Sequence, residues 1–318
     1  MPRHAHYVPH GVIPAVILPF ADDLAIDEKS FRKHLADVAS VEGLSAVTVN
    51  AHSTEVASCS FDEQRRVLDI AQDEIGGRLP IVNGIWADGS IEAARIARMA
   101  EEGGASALLV FPPAPFTLQQ SPAMAVAHFK RIADATSLPL IVFQYPLATG
   151  QGYPRDTLLK MIEEVPTIRA IKDWCGSVPQ HEMHVRELQS RKPVVNVLST
   201  HSAWLLSSLV LGCNGLLSGS GSVIADLQSA LFRAVRGNDL VEARRINDRI
   251  HPLARVFYAE PWADMHNRMK EALVLLGRLP RAVVRPPLVK LGRAEIDRIR
   301  SALVEAGLLS QKTARDAA

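Results

Sequence analysis

Lys172 is the residue of this chain whose type and position most clearly favour covalent chemistry. It follows the short apolar run 168–171 and precedes the polar stretch 173–176, so it lies at the end of a predicted buried strand. A lysine in apolar surroundings finds its charged form disfavoured, and its pKa falls from about 10.4 toward neutrality. The neutral amine can attack a carbonyl carbon and form an imine. The alternative is a lysine that extends from the strand end into solvent and has no chemical role.

His52 and Tyr145 are the candidate groups for moving protons. His52 lies in the turn after the apolar run 46–50, and an imidazole with an ordinary pKa near ~6.5 can act as acid or base. The alternative is a histidine with only a structural hydrogen bond. Tyr145 stands two residues after Phe143, so both side chains lie on one face of a strand and the phenol could serve the same site. Packing of this ring beneath the next loop is the alternative.

Residues near other strand ends could form the walls of a binding site. Trp174 stands two residues after Lys172 and is expected either to cap the site and limit substrate size or to pack on a neighbouring loop. Ser218 and Gly219 begin a run of small residues whose backbone amides could face a ligand. We expect this run to form a wall near the substrate chain, and a phosphorylated substrate stays open as an alternative.

The remaining histidines are expected to have ordinary roles. His181 and His184 lack the His-Glu-x-x-His spacing of a metalloprotease helix, so we predict that they lie on a solvated helix face. His4, His6 and His10 are expected to lie on a mobile N-terminal arm. The sequence therefore predicts no metal site and no organic cofactor.

Composition and charge argue against several classes of function. The 318 residues carry a formal net charge of +1 at pH 7, without the basic excess typical of proteins that bind nucleic acid or anionic membranes. The cysteines at positions 59, 175 and 213 are far apart and have no paired-ligand spacing, which argues against a disulfide framework and a zinc site. The sequence also lacks a long uninterrupted apolar segment. These features predict a cytoplasmic protein whose partner is a small molecule.

Eight short apolar runs alternate with segments of helical periodicity, which predicts an α/β fold of the (β/α)8 TIM barrel type. Such strands are almost continuously apolar because helices cover the parallel sheet. The predicted strands are 12–18, 46–50, 80–84, 107–111, 140–144, 169–172, 194–198 and 215–218. A doubly wound open sheet is the main alternative, but the glycine-rich nucleotide turn after its first strand is missing.

The predicted barrel covers residues 8–236, and a C-terminal helical extension follows at residues 237–309. Amphipathic segments at 241–257, 262–276 and 293–305 are predicted to pack on the barrel or on another subunit. Residues 1–7 and 310–318 are predicted to be flexible ends. In barrels of this type the reactive groups lie at the C-terminal ends of the strands, which is where Lys172 stands on the sixth strand.

Several motifs at these strand ends occur in the order typical of a known superfamily. They are Gly-Val-Ile-Pro-Ala at 11–15, Ser-Thr-Glu at 53–55, Ile-Lys-Asp at 171–173 and Arg-Pro-Pro-Leu at 285–288. From about residue 11 to residue 291 the chain resembles the dihydrodipicolinate synthase and N-acetylneuraminate lyase superfamily of class I, pyruvate-handling lyases. The resemblance implies a barrel with C-terminal helices, a homotetramer and a Schiff-base lysine at Lys172.

The resemblance also implies roles for other positions, and it shows departures. Ser53, with Thr54 beside it, matches the turn whose hydroxyl and backbone amides hold the carboxylate of a 2-keto acid. Phe143 matches the superfamily's proton-relay tyrosine and cannot carry a proton. The second relay tyrosine is absent from the loop at 112–116, and Ala148 stands near the position of the arginine that grips the aldehyde's carboxylate. These losses argue against the lysine-biosynthetic condensation.

The residues and the resemblance together predict a Schiff-base lyase, either an aldolase or a dehydratase. Its substrate would be a 2-keto-3-deoxy sugar acid or a similar 4-hydroxy-2-oxo acid, with the imine as electron sink. One alternative is a divergent dihydrodipicolinate synthase-like enzyme that condenses pyruvate with an aldehyde. The other alternative is a non-catalytic protein that binds 2-keto acids, and the presence of Lys172 and Ser53 argues against it.

Overall fold

A computed structural model describes residues 3–310. Residues 1, 2 and 311–318, which belong to the predicted flexible ends, lie outside the described residues. At the start of the described range, Arg3 donates to the carbonyl of Gln72 at 2.8 Å, and a ring nitrogen of His4 lies 3.1 Å from the carbonyl oxygen of Gly76.

Eight parallel strands form one sheet in the order β1-β8-β7-β6-β5-β4-β3-β2. The bridge between Ala15 and Thr48, with the Val16 amide donating to the Thr48 carbonyl at 3.0 Å, closes the sheet between its two end strands. The strands are β1 Gly11–Pro14, β2 Val47–Val49, β3 Ile81–Ile85, β4 Ala107–Val110, β5 Leu140–Gln144, β6 Ile168–Asp173, β7 Asn196–Ser199 and β8 Gly215–Ser218. The predicted (β/α)8 barrel is confirmed.

Helices cover the outside of the barrel, and sequence signals define where several of them begin. Asp27 caps α1, and Ser60 forms a capping box with Glu63 at the start of α2. The barrel helices are α1 Glu28–Ala39, α2 Phe61–Glu74, α3 Ser90–Glu102, α4 Pro122–Ala133, α5 Arg155–Glu164, α6 Val178–Gln189, α7 Leu205–Val210 and α8 Gly221–Arg236.

The C-terminal part consists of three further helices that pack against each other, and the first two of them also pack against α8. They are α9 Leu240–Phe257, α10 Met265–Leu275 and α11 Arg293–Glu305. The second is shorter than predicted because Trp262–Asp264 forms a 3-10 turn before it. No helix within residues 3–310 has both the length and the apolar character needed to cross a membrane.

The first strand is also shorter than the predicted run 12–18. After Pro14 the ladder to β8 ends, and the amide of Ile17 donates to the side-chain oxygen of Ser222 at 2.8 Å instead of to a strand carbonyl. Residues Val16–Leu18 are nevertheless fully buried, because they pass beneath the start of α8. Burial alone therefore produced the apolar pattern that resembled a longer strand.

Side chains on β6 alternate between the barrel interior and the helical layer. Ala170 belongs to the cluster inside the barrel, whereas Ile171 belongs to the cluster between the strands and the helices. Lys172 continues the inner face and Asp173 the outer face. Two neighbouring ionisable residues thus enter two separate environments, as the strand parity predicts.

Candidate active site

A cavity of about 460 Å³, including its open mouth, lies at the C-terminal ends of the barrel strands. This is the end at which barrels of this type carry their reactive groups. None of the described lining residues is acidic, and Lys172 supplies the amine. Six of the residues singled out from the sequence line the cavity: His52, Ser53, Phe143, Lys172, Trp174 and Gly219.

Lys172 is almost completely buried at the floor of this cavity, with 6% of its surface exposed. It pairs with Phe143 in the register of β5 and β6, and its Nζ lies 4.0 Å from the centre of the Phe143 ring. Burial lowers the pKa of Lys172 from 10.5 to about 7. A large fraction of the amine is therefore uncharged at neutral pH and able to act as a nucleophile.

His52 and Tyr145 form a hydrogen-bonded pair beside the lysine, with 3.1 Å between the Tyr145 hydroxyl and Nε2 of His52. Burial, reinforced by the charge of Lys172, lowers the pKa of His52 to about 3, so the ordinary value expected from the sequence does not apply. Burial raises the pKa of Tyr145. Because the phenol keeps its proton and the imidazole is neutral, Tyr145 donates to His52 when the imidazole proton is on Nδ1 and accepts from it when that proton is on Nε2. Tyr145 itself lies behind the cavity wall.

Ser53 and Thr54 occupy the 3-10 turn His52–Thr54 that follows β2, but only Ser53 lines the cavity. The hydroxyl of Ser53 is buried and has no hydrogen-bond partner within residues 3–310. The hydroxyl of Thr54 donates to the carbonyl of Ala51 at 2.8 Å, which stabilises the turn. A buried hydroxyl without a hydrogen-bond partner destabilises the fold. A ligand in the cavity could therefore supply the hydrogen bond that the hydroxyl of Ser53 lacks.

Trp174 forms part of the rim of the cavity. Its ring centre lies 5.4 Å from that of Tyr145 on one side and 5.4 Å from that of Trp262 on the other. Trp262 is about half exposed, whereas Tyr145 is buried. The indole of Trp174 therefore connects the buried wall to the surface. That Trp174 limits the size of the substrate stays a prediction.

The exit of β8 contributes Gly219 but not Ser218 to the cavity wall. A β-carbon at position 219 would lie 2.7 Å from Nε2 of His266, so a side chain there would displace the imidazole. Ser218 is buried, and its hydroxyl lies 2.9 Å from that of Ser220. The small residues at this exit thus make room for a side chain from the C-terminal helices.

Sequence reasoning missed half of the lining, most of all the residues from the C-terminal helices. His266 on α10 faces the cavity, and burial, reinforced by the neighbouring His52 and Lys172, lowers its pKa well below the usual value. Tyr258, at the end of α9, brings a phenol to the same wall. The residues not singled out beforehand are Ala15, Ala51, Thr200, Tyr258, Met265 and His266.

A buried ion pair attaches α10 to the turn that carries Ser53. Lys270, one turn after His266, donates to the carboxylate of Glu55 and to the carbonyl of Val283 at 2.7 Å. The other carboxylate oxygen of Glu55 accepts the backbone amide of Arg285 at 2.9 Å. Polar residues one turn apart at 266 and 270 were the available sequence signal, but nothing in the sequence related them to Glu55.

A second polar cluster lies on the opposite side of β6, behind the lysine. Asp173 accepts from Nδ1 of His181 at 2.9 Å and from Nδ1 of His184 at 2.8 Å. Both imidazoles are buried, so the predicted solvated face at 181–184 is wrong. The helix turns these residues toward the strand because a buried carboxylate needs donors.

Comparisons with known proteins show the family to which the chain belongs. A 4-hydroxy-tetrahydrodipicolinate synthase from Nitratidesulfovibrio vulgaris (strain Hildenborough) is 29% identical over 300 residues, which are 94% of this chain and 99% of the relative. A protein of the same name from Methanosarcina acetivorans is 30% identical over 250 residues, which are 79% of this chain and 83% of the relative. A solved prophage protein of the dihydrodipicolinic acid synthase family from E. coli, in complex with pyruvate, has a TM-score of 0.87 at 23% identity and covers 94% of this chain and 99% of its own. The profile of the dihydrodipicolinate synthetase family matches residues 8–306, and this chain therefore belongs to that family.

Proposed function

We propose that this protein is a lyase that forms a Schiff base between Lys172 and a 2-keto acid. The observation that carries the proposal is the buried amine of Lys172, which faces the cavity with a pKa lowered to about 7. Family membership supports the coarser assignment as a pyruvate-dependent aldolase-type lyase. The neutral amine adds to the ketone carbon, and loss of water then gives the protonated imine.

Ser53 is the proposed partner of the substrate carboxylate. Its buried hydroxyl has no partner within the described chain and lies in a turn that lines the cavity with Lys172. A hydroxyl and nearby backbone amides can hold an anion through charge-assisted hydrogen bonds. The positive charge of the imine then stabilises the same end of the substrate.

His52 and Tyr145 are the proposed route for protons. With a pKa of about 3, His52 is neutral at neutral pH and is protonated only transiently. It passes a proton between the substrate and the phenol of Tyr145. His266 and Tyr258, on another part of the wall, offer hydrogen bonds to hydroxyl groups on the substrate chain. These groups favour a hydroxylated 2-keto acid, such as a 2-keto-3-deoxy sugar acid or a 4-hydroxy-2-oxo acid.

The imine permits two reactions on such a substrate. In an aldolase, the C4 hydroxyl loses its proton, the C3–C4 bond breaks, and its electron pair enters the imine to form an enamine. In a dehydratase, C3 loses a proton to form the enamine, and the C4 hydroxyl then leaves as water after it gains a proton. Cleavage releases pyruvate and an aldehyde, whereas dehydration keeps the carbon chain intact.

Trapping with borohydride tests the proposal directly. The protein is reduced in the presence of pyruvate, its intact mass is measured, and the modified peptide is sequenced. We expect one adduct per chain on Lys172, and none in Lys172→Arg. Lys160→Arg, a replacement on the exposed surface of α5, should keep the adduct. A protein that binds pyruvate without an adduct would support the non-catalytic alternative.

A screen of substrates then separates the two reactions. Pyruvate is assayed after incubation with a panel of 2-keto-3-deoxy sugar acids and 4-hydroxy-2-oxo acids. Formation of pyruvate plus an aldehyde supports the aldolase, and loss of water without pyruvate supports the dehydratase. Failure of the whole panel to react while pyruvate is still trapped would overturn this choice of substrates.

The names of the relatives favour a second candidate, the condensation of pyruvate with an aldehyde. Phe143 in place of the relay tyrosine argues against its best-known form, as does Ala148, which is exposed on the 3-10 turn Leu147–Thr149. Product formation from pyruvate and aspartate semialdehyde decides between the candidates. A turnover with this pair above that with every hydroxylated 2-keto acid would establish the condensation.

A homotetramer and a cytoplasmic location complete the proposal. The tetramer follows from the family resemblance, and the location follows from the spacing of the cysteines and the chain's composition. Light scattering on the eluted protein measures the mass of the assembly. A mass equal to that of one chain, 34.7 kDa, would contradict the tetramer.

A further inference from the structure

Three side chains of metal-binding type converge behind the active-site wall, at the C-terminal ends of β6 and β7. Asp173 is the last residue of β6, Cys175 follows in the loop, and His201 lies just after β7. All three are buried. The expectation of no zinc site rested on the spacing of cysteines in the sequence, but these ligands come from the ends of two strands that only the barrel brings together.

The distances among the three ligand atoms suit a small tetrahedral cation. Nε2 of His201 lies 3.7 Å from a carboxylate oxygen of Asp173 and 3.8 Å from Sγ of Cys175. All three ligand atoms lie within 4.8 Å of one another. Zinc bonds of ~2.0–2.3 Å place tetrahedral ligand atoms roughly 3.3–3.8 Å apart. Small side-chain rotations would therefore suffice to bind the ion.

The contact between His201 and Asp173 is not a good hydrogen bond, since 3.7 Å is too long for one. A buried imidazole nitrogen normally has a close partner. Here the partners of Nε2 are a carboxylate oxygen at 3.7 Å and the thiol of Cys175 at 3.8 Å, the length of a weak sulfur hydrogen bond. An ion bound by all three atoms would satisfy the nitrogen fully.

Neighbouring residues already hold two of the ligands in place. The other carboxylate oxygen of Asp173 accepts hydrogen bonds from His181 and His184. The ring of His201 stacks on that of Trp204, with 4.0 Å between the ring centres. Outer hydrogen bonds and packing of this kind orient the ligands in metal sites.

We propose that Asp173, Cys175 and His201 bind one structural divalent cation of the zinc class. The fourth ligand is water or the carbonyl oxygen of Ser177, which lies 3.3 Å from Sγ of Cys175. The thiol of Cys175 would lose its proton as the Cys175–metal bond forms, so binding releases one proton and weakens as the pH falls. The ion would join the ends of β6 and β7. The adjacent residues Trp174 and Thr200 line the cavity, and the ion would hold this wall in position. The proposal does not depend on imine chemistry.

Metal analysis of the full-length, untagged protein tests the proposal. After expression with added zinc and gel filtration, we expect one zinc ion per chain. After removal of the zinc, Co²⁺ should restore the site and produce the near-ultraviolet thiolate-to-cobalt band and the visible bands of tetrahedral Co²⁺. Cys175→Ser should lower the bound metal at least about tenfold and abolish the thiolate band. Cys213→Ser, which replaces another buried cysteine, should change neither.

Two further variants test whether the metal binds at Asp173, Cys175 and His201. His201→Asn serves if Cys175→Ser does not fold, and it should also lower the bound metal. A variant with His4, His6 and His10 replaced by Ala should retain the ion, whereas loss of metal from that variant would assign it to the N-terminal segment. Wild-type protein without stoichiometric metal and without a thiolate-to-cobalt band would overturn the proposal.

Discussion

Lys172 and Asp173 are neighbours in the chain, but they lie on opposite faces of β6. The pKa of His52 on the first face and that of His181 on the second face are shifted in opposite directions. On the cavity side, His52 lies near a lysine and no carboxylate, and burial with the charge of Lys172 lowers its pKa to about 3. On the helix side, burial opposes protonation of His181, but the hydrogen bond to Asp173 prevails and raises its pKa to about 9. At neutral pH His52 is therefore uncharged and His181 is charged.

The difference shows that a close hydrogen bond to a carboxylate can outweigh burial, as at His181, whereas burial prevails at His201, whose pKa is lowered although Asp173 is nearby. Both clusters are withdrawn from solvent. Only the outer one contains a carboxylate, and hydrogen bonds from His181 and His184 hold the pKa of Asp173 well below its usual value although burial would raise it. The cavity side thus keeps a free amine and neutral relays, while the outer side keeps an ion pair that stabilises the strand end.

Replacement of the lysine should give the largest effect on the cavity side. Lys172→Arg retains a cation of similar length but cannot form an imine, so we expect turnover to fall on the order of 10⁴-fold or more. The measurement is kcat with the best substrate from the screen. Lys160→Arg should leave kcat unchanged. Turnover in Lys172→Arg within tenfold of the wild type would show that the reaction does not use the imine.

Replacement of the carboxylate should give the largest effect on the outer side. Asp173→Asn leaves buried imidazoles without their charge partner, and we expect the free energy of unfolding to fall by about 3–5 kcal/mol. Urea unfolding at pH 7 with a chelator measures this loss without a contribution from bound metal. Asp156→Asn, at an exposed position, should cost less than about 0.5 kcal/mol. Equal stability of the two variants would contradict the role of the outer cluster.

Replacement of His52 or Tyr145 should lower activity less than replacement of Lys172. His52→Ala should lower kcat about 10²-fold but leave the borohydride adduct intact, because the amine does not need the relay to attack. Tyr145→Phe keeps the ring and removes the hydroxyl, and it should lower kcat by a similar factor if the pair acts as a unit. Unchanged kcat in both variants would exclude the relay, and loss of the adduct would show that His52 positions Lys172.

The lowered pKa of Lys172 predicts a pH dependence of imine formation. Since only the neutral amine attacks, the rate of adduct formation with cyanoborohydride should increase about tenfold per unit below pH 7 and level off above that value. The adduct is measured by intact mass at short times between pH 5.5 and pH 9. A midpoint near the ordinary lysine value would show that the amine is solvated.

The raised pKa of His181 predicts the smallest effect, a pH-dependent contribution to stability. Its folded pKa of about 9 exceeds the unfolded value, so the contribution is fully present below about pH 6.5 and is lost as the pH rises through about 9. The difference in unfolding free energy between wild type and His181→Asn should therefore shrink from pH 6 to pH 10. Val289→Ala, at an exposed position without a titrating group, should give a constant difference. A difference for His181 that grows with pH would contradict the ion pair.

Local patterns were sufficient to predict the barrel and the position of its lysine. Alternation along β6 assigned Lys172 to the inner face, and the apolar run before it predicted a buried strand end, which the structure confirms. The position of Ser53 was predicted from the resemblance, whereas the lack of a partner for its hydroxyl is visible only in the folded chain. Predictions about burial on a helix were less successful, as the buried His181 and His184 illustrate.

The sequence by itself determined the strand and helix pattern, the face on which Lys172 lies and the residues available for chemistry, because these depend on neighbours a few positions apart. Only the tertiary structure decided that His266 completes the cavity, that Lys270 pairs with Glu55, and that His201 approaches Asp173. These contacts join residues far apart in the chain. The pKa of each buried group depends on such contacts, since the electrostatic interaction between two groups depends on their distance in space and on the exclusion of water.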